Sequence, residues 1–100
     1  MPITRVFRVQ IHEALRSEFE PKFNTLSKGI VENAPGCIRQ TVLKPTKWNP
    51  NEYAMISEWA SETDLIAFAG ENWNKSVIPP DMEVFAENHS VSHFQSWETA

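Results

Sequence analysis

Strict alternation over Thr4–Ile11, a helical stripe of large apolar residues from Leu15 to Ile30, and three later strand-like segments around one capped helix predict an α+β chain in the order β-α-β-β-α-β. In TRVFRVQI, Phe7, Val9 and Ile11 share one parity; Arg5 lies outside that apolar run, and the other parity carries Val6, Arg8 and Gln10. Successive side chains of a strand point to opposite faces, so this segment is a half-buried strand. Leu15, Phe19, Phe23, Leu26 and Ile30 follow at steps of four, four, three and four, which aligns them along one side of a helix. Pro21 interrupts that stripe. It fits the first turn of a helix starting near Ser17, where a missing N–H costs little, or it kinks a longer helix. Asn33-Ala34-Pro35-Gly36 stops the helix.

Cys37–Leu43, rich in β-formers, is the second strand, and the Pro/Asn-rich KPTKWNPN is a turn into the third, Glu52–Trp59. Ser61-Glu62-Thr63-Asp64 has the form of a capping box with Asp in the place of Glu, and it opens a helix through Leu65, Ile66, Phe68 and Ala69. Gly70 and two asparagines weaken that helix near Asn72. Pro79-Pro80 separates it from a short helical turn at Asp81–Phe85, and HSVSHFQSW is the last strand. The order is the split β-α-β, ferredoxin-like arrangement, a four-stranded antiparallel sheet with both helices on one face. The other face is left for a partner, and Met55, Trp59 and Trp97 are the large side chains expected there.

A chain of 100 residues buries only about two-thirds of the surface it exposes when unfolded, so burial in a dimer would help its core. Nine Lys+Arg against thirteen Asp+Glu, a net charge of −4, come without any basic run, which argues against nucleic-acid binding. Arginines inside the N-terminal alternation rule out a secretory core, and no apolar run approaches the roughly 20 residues of a membrane span. The expected location is cytoplasmic, with no membrane partner. The single cysteine, Cys37, excludes an intrachain disulfide; with no basic neighbour to lower its pKa, it is not expected to be a nucleophile.

The first strand, the long helix ending in Ala34-Pro35-Gly36-Cys37, the segment ISEWASETDLIAFAG and the stretch NWNKSVIPPDM resemble, in this order and spacing, the antibiotic biosynthesis monooxygenase family of dimeric α/β barrels. The resemblance covers nearly the whole chain, read as one domain over residues 1–100. It implies a homodimer whose sheets pack into a barrel, each subunit keeping a pocket between sheet and helices. Characterised members oxygenate phenolic or quinol-like substrates with dioxygen and neither metal nor flavin; one branch degrades haem. The function implied is cofactor-independent oxygenation of a small electron-rich aromatic, with a non-catalytic ligand-binding dimer as the alternative. The haem-degrading branch uses an asparagine, a tryptophan and a histidine at positions that fall on Phe7, Phe68 and Ile78, so haem degradation is not implied.

Oxygenation without a cofactor requires the substrate to supply the electrons, so the protein needs an apolar cavity, a proton acceptor and a few hydrogen-bond donors. His93 is the candidate acceptor, because an imidazole titrates near neutral pH; the alternative is a hydrogen-bonded, inert histidine on the partner-facing side of the sheet. His89 and His93, four residues apart on a strand, are separated by about 13 Å, too far to share a metal ion. Trp73 between Asn72 and Asn74 is expected to fold back over the sheet as pocket wall or lid, or to plug the end of the core. Either asparagine amide then faces a ligand hydroxyl or carbonyl. Phe7 and Phe68, with Val9, Phe19, Phe23 and Leu26, are expected in the helix–sheet core, lining any cavity there. Arg8 is expected to pair with Glu58 or its symmetry mate, and Tyr53 to sit at a rim.

Overall fold

The computed structural model describes residues 2–76, 78 and 80–97, apart from the side chains of Leu26 and Ser27. Strands β1 (Ile3–Ile11), β2 (Cys37–Leu43), β3 (Glu52–Trp59) and β4 (Ala86–Gln95) form one antiparallel sheet in the order β2-β3-β1-β4. This is the ferredoxin-like topology that the element order predicts. No helix among the described residues is long and apolar enough to cross a membrane.

The helical stripe is one continuous run of four segments in three geometries. A 3-10 turn at Glu13–Leu15 leads into α1 (Arg16–Lys22), a π-turn at Phe23–Ser27, and α2 (Lys28–Glu32). Pro21 therefore lies well inside a helix and not in its first turn. Its ring nitrogen cannot bond back along the helix, and the wider π-turn begins two residues later, where the Thr25 hydroxyl donates to the Pro21 carbonyl at 2.6 Å. Phe19 and Phe23 still reach the core, stacked at 5.0 Å between centroids. The expected place of Leu26 lies outside the described side chains.

Helix α3 (Glu62–Ala69) begins as its sequence predicts: the Asp64 N–H donates to Ser61 Oγ at 3.1 Å. It ends at Gly70, whose φ of 88° suits glycine and whose N–H reaches Ile66 O at 2.7 Å. Helix α4 is a single turn, Pro80–Glu83. Strand β4 starts at Ala86, ahead of the HSVSHFQSW run, because its first residues find partners at the end of β1 despite their weak β propensity. Trp97 lies past its end and is 97% exposed.

Along β3, Tyr53, Met55, Ser57 and Trp59 are all buried, and they face the helices. Met55 and Trp59 are thus covered by the chain itself and do not belong to the open face. Tyr53, only 1% exposed, is a core residue whose hydroxyl accepts from Arg16 Nε at 3.0 Å and donates to Glu20, so it is no rim residue. The opposite face carries Val6, Arg8 and Gln10 on β1 and Ala54, Ile56 and Glu58 on β3. Arg8 stands across from Ala54 and Glu58 across from Thr4, so the two charges are four register steps apart within the chain.

The core divides in two. One cluster gathers Val9, Ile11, Phe19, Phe23, Tyr53, Met55, Met82 and Phe85; the other holds Ile3, Trp59 and Leu65, with Trp73 packed against it. Between them the sheet carries a polar row. His93 faces Arg5, Arg5 faces Ser57, and Ser57 faces Gln40, one residue from each of the four strands.

Candidate active site

Above that row, between sheet and helices, lies a cavity of about 220 Å³. Strand periodicity brings Arg5, Phe7 and Val9 of β1 and Met55 and Ser57 of β3 to its floor. Helical spacing brings Phe19, Phe23, Ile30, Val31 and Phe68 to its walls, and Ile78 and Met82 complete them. Ile30 and Phe68 are 62% and 38% exposed, so the cavity opens outward between α2 and α3. Among the described lining residues only Arg5 and Ser57 bring polar side chains.

Arg5 is fixed from two sides. One terminal nitrogen donates to the Trp73 carbonyl at 2.9 Å and lies 3.3 Å from His93 Nε2. A guanidinium has no acceptor, so the imidazole must offer the lone pair of Nε2 and carry its proton on Nδ1. His93 is therefore neutral here. Burial holds its pKa below the usual imidazole value, and the Arg5 charge lowers it further. Burial also lowers the Arg5 pKa, yet a guanidinium stays cationic at any ordinary pH. The Trp73 indole stands edge-on to His93, with centroids 4.7 Å apart at 77°.

Trp73 is thus neither loose nor on the described cavity lining. The turn after Gly70 folds it back against Ile3, Trp59 and Leu65, where it closes the smaller cluster and presents its backbone carbonyl to Arg5. Asn72 and Asn74 flank it as exposed residues and do not line the cavity. Phe7 and Phe68 do line it, as does Ile78. His93 faces the helices, not the open sheet face, and reaches the cavity through Arg5. The second histidine of that strand, His89, bonds the Ser76 hydroxyl through Nδ1 at 2.5 Å, which ties the loop after Gly70 to β4. Among the described residues no group of three or more His, Cys, Asp or Glu is placed to hold a metal ion. Burial pushes the Cys37 thiol up, with the Glu32 charge adding to the rise, so the thiolate is disfavoured.

Arg5 and Ser57 are the polar cavity residues that sequence reasoning did not single out. A signal was there: Arg5 shares the parity of Phe7 and Val9, so a charge on that face had to lie under the helices.

An apolar cavity between a sheet and its helices, with one buttressed cation in its floor, is the geometry of a candidate small-ligand site in a ferredoxin-like domain. The chain belongs to the antibiotic biosynthesis monooxygenase family, which it matches over residues 2–98. Among solved structures, SnoaB from Streptomyces nogalater, a cofactor-independent oxygenase, is 20% identical, with a TM-score of 0.71 over 98% of this chain and 95% of that one. The heme-degrading protein Rv3592 from Mycobacterium tuberculosis is 21% identical, with a TM-score of 0.68 over 100% and 99%. Rv0793 from the same organism is 13% identical, with a TM-score of 0.74 over 100% and 99%. At these identities the likeness is one of fold. No curated protein matches the chain.

Proposed function

We propose that this protein is an oxygenase that uses dioxygen on a small electron-rich hydroxy-aromatic, with the substrate itself as the electron source. The observation that carries the reading is Arg5: the one cation among the described residues of a largely apolar cavity, held by His93 and the Trp73 carbonyl. A cation at that place favours the ionised form of a bound phenol, because the opposite charge lowers its pKa. The phenolate gives one electron to dioxygen, and the radical pair recombines at a ring carbon to form a peroxide. Loss of water leaves the quinone, so one oxygen atom enters the ring and the other departs as water, and the ring supplies all four electrons. The cavity keeps the pair together and excludes bulk water.

In this reading Arg5 binds the oxyanion and His93 orients Arg5. His93 takes the phenol proton only when the incoming oxyanion draws the guanidinium away from Nε2. Phe7 and Phe68 pack on the ring, and Trp73 holds the closed end. Haem degradation fits poorly, since the described lining offers no imidazole or thiolate for iron.

The homodimer belongs to the same proposal. Val6, Ala54 and Ile56 stand on the sheet face away from the helices, and a second copy laid on that face would bury them. Sedimentation at micromolar protein is expected to give about twice 11.5 kDa; the monomer mass at that concentration would remove the dimer from the proposal.

The test of chemistry is dioxygen uptake by metal-stripped protein against a panel of hydroquinones and polycyclic phenols. One dioxygen per substrate above the autoxidation blank is expected. Arg5→Met should lose at least about 100-fold in rate, as for other single oxyanion donors. Saturable quenching of tryptophan fluorescence with no uptake on any substrate would overturn the oxygenase and leave a binding protein.

A further inference from the structure

The polar row does not stop at Arg5. Ser57 stands directly across β1–β3 from Arg5, is 3% exposed, and lines the same cavity. Its oxygen already accepts the indole N–H of Trp59 at 2.9 Å, so its own proton must go elsewhere. One strand further, Gln40 stands directly across from Ser57. Among the described residues, neither Nε2 nor Oε1 of Gln40 has a hydrogen-bond partner, although both atoms are buried. Leaving an amide in that state is unfavourable, and a side chain chosen for stability alone would be apolar, as Val42 is two residues on. Adjacent strands are about 4.8 Å apart, so Arg5, Ser57 and Gln40 offer a cation, a hydroxyl proton and an amide at successive steps of that size.

We infer that Ser57, positioned by Gln40 behind it, forms a second polar subsite beside Arg5, one that receives a neutral oxygen of the ligand while Arg5 holds the ionised one. The inference rests on the cavity being the ligand site. The ligand class is a hydroxylated ring system that bears a second, uncharged oxygen on the side away from the Arg5-bound hydroxyl. Ser57 touches that oxygen by donating its hydroxyl proton, a bond strengthened by the Trp59 N–H behind it. Gln40 does not line the cavity and is a positioning residue that acts through Ser57: when the ligand arrives, its unpartnered amide turns to donate an N–H to the second lone pair of the Ser57 oxygen, which leaves the hydroxyl proton for the ligand. The buried amide is retained for discrimination between ligands at the expense of stability.

The test uses a ligand pair of nearly equal shape, 4-methoxy-1-naphthol and 4-ethyl-1-naphthol, which differ by an ether oxygen in place of a methylene. Dissociation constants are read from tryptophan quenching without dioxygen, so turnover plays no part. The wild-type protein is expected to prefer the methoxy compound by roughly fivefold, the worth of one hydrogen bond. Ser57→Ala and Gln40→Met should each bring that ratio close to one while leaving the ethyl compound's affinity nearly unchanged. Ser57→Ala also strips the Trp59 N–H of its acceptor and is at risk of unfolding; Gln40→Met conserves volume and carries the test alone if needed. Gln40→Met is further expected to raise the melting temperature. A ratio of one in the wild type, an unchanged ratio in Gln40→Met, or a melting temperature that falls on that substitution would each overturn the subsite. If neither naphthol binds, or if Arg5→Met leaves both affinities unchanged, the cavity reading itself fails and takes the subsite with it.

Discussion

Arg5 is a cation placed where the strand pattern calls for an apolar side chain, and it survives there because its donors find a backbone carbonyl and an imidazole nitrogen. The arrangement has a pH signature. The folded pKa of His93 lies below its ordinary value near 6.5, so the unfolded chain binds that proton more readily. The contribution of His93 to stability is complete above the ordinary value and is lost as pH falls through the folded one. Melting temperature should therefore drop from neutral toward acid pH, and His93→Gln, which keeps an acceptor but cannot titrate, should flatten the drop. An identical slope in that variant would remove His93 from the account. At this scale the sequence is only partly legible. Phe7 and Phe68 follow from period and arrive in the cavity, whereas the role of Arg5 depends on a neighbour 88 positions away in the chain.

The elements were more readable, since alternation, stripe and cap are local signals. The capping group Ser61, the stop at Gly36 and the short helical turn at Pro80–Glu83 all sit within a few residues of where the pattern places them. What local signals miss is geometry within an element: a proline disturbs a helix, but the π-turn after Pro21 depends on how Phe19 and Phe23 must meet the sheet. Gly36 shows the reverse case, a residue whose identity is set by a contact far along the chain. It has φ of 87°, its carbonyl accepts from the Ala60 N–H at 2.8 Å, and a methyl group on it would overlap Asp64 in the first turn of α3. Gly36→Ala is expected to destabilise by roughly 2 kcal/mol or more, because backbone strain and a steric clash act together. Denaturant titration checks this, and a loss under about 0.5 kcal/mol would mean that the α3 entry yields easily.

At the scale of the molecule, the fold could be read from element order because so few topologies satisfy β-α-β-β-α-β with short connections. The open sheet face was also foreseeable; its occupants were not. Met55 and Trp59 turned inward because a strand offers only two faces and their parity is that of Tyr53. The polar row that crosses the sheet has a mechanical consequence. The fully buried residues fall into one cluster on either side of it, joined across it by the partly buried Val31, so the molecule has a seam. Helix α3 and the Trp73 turn lie with the small cluster on one side, α1 and the π-turn with the large cluster on the other. Local opening should follow that seam, with the α3 side lifting while the α1 side stays shut. Native-state hydrogen exchange should then show amides of Leu65–Ala69 exchanging through a smaller opening than those of Phe19–Phe23. The door to the cavity would be the weaker half of its own core.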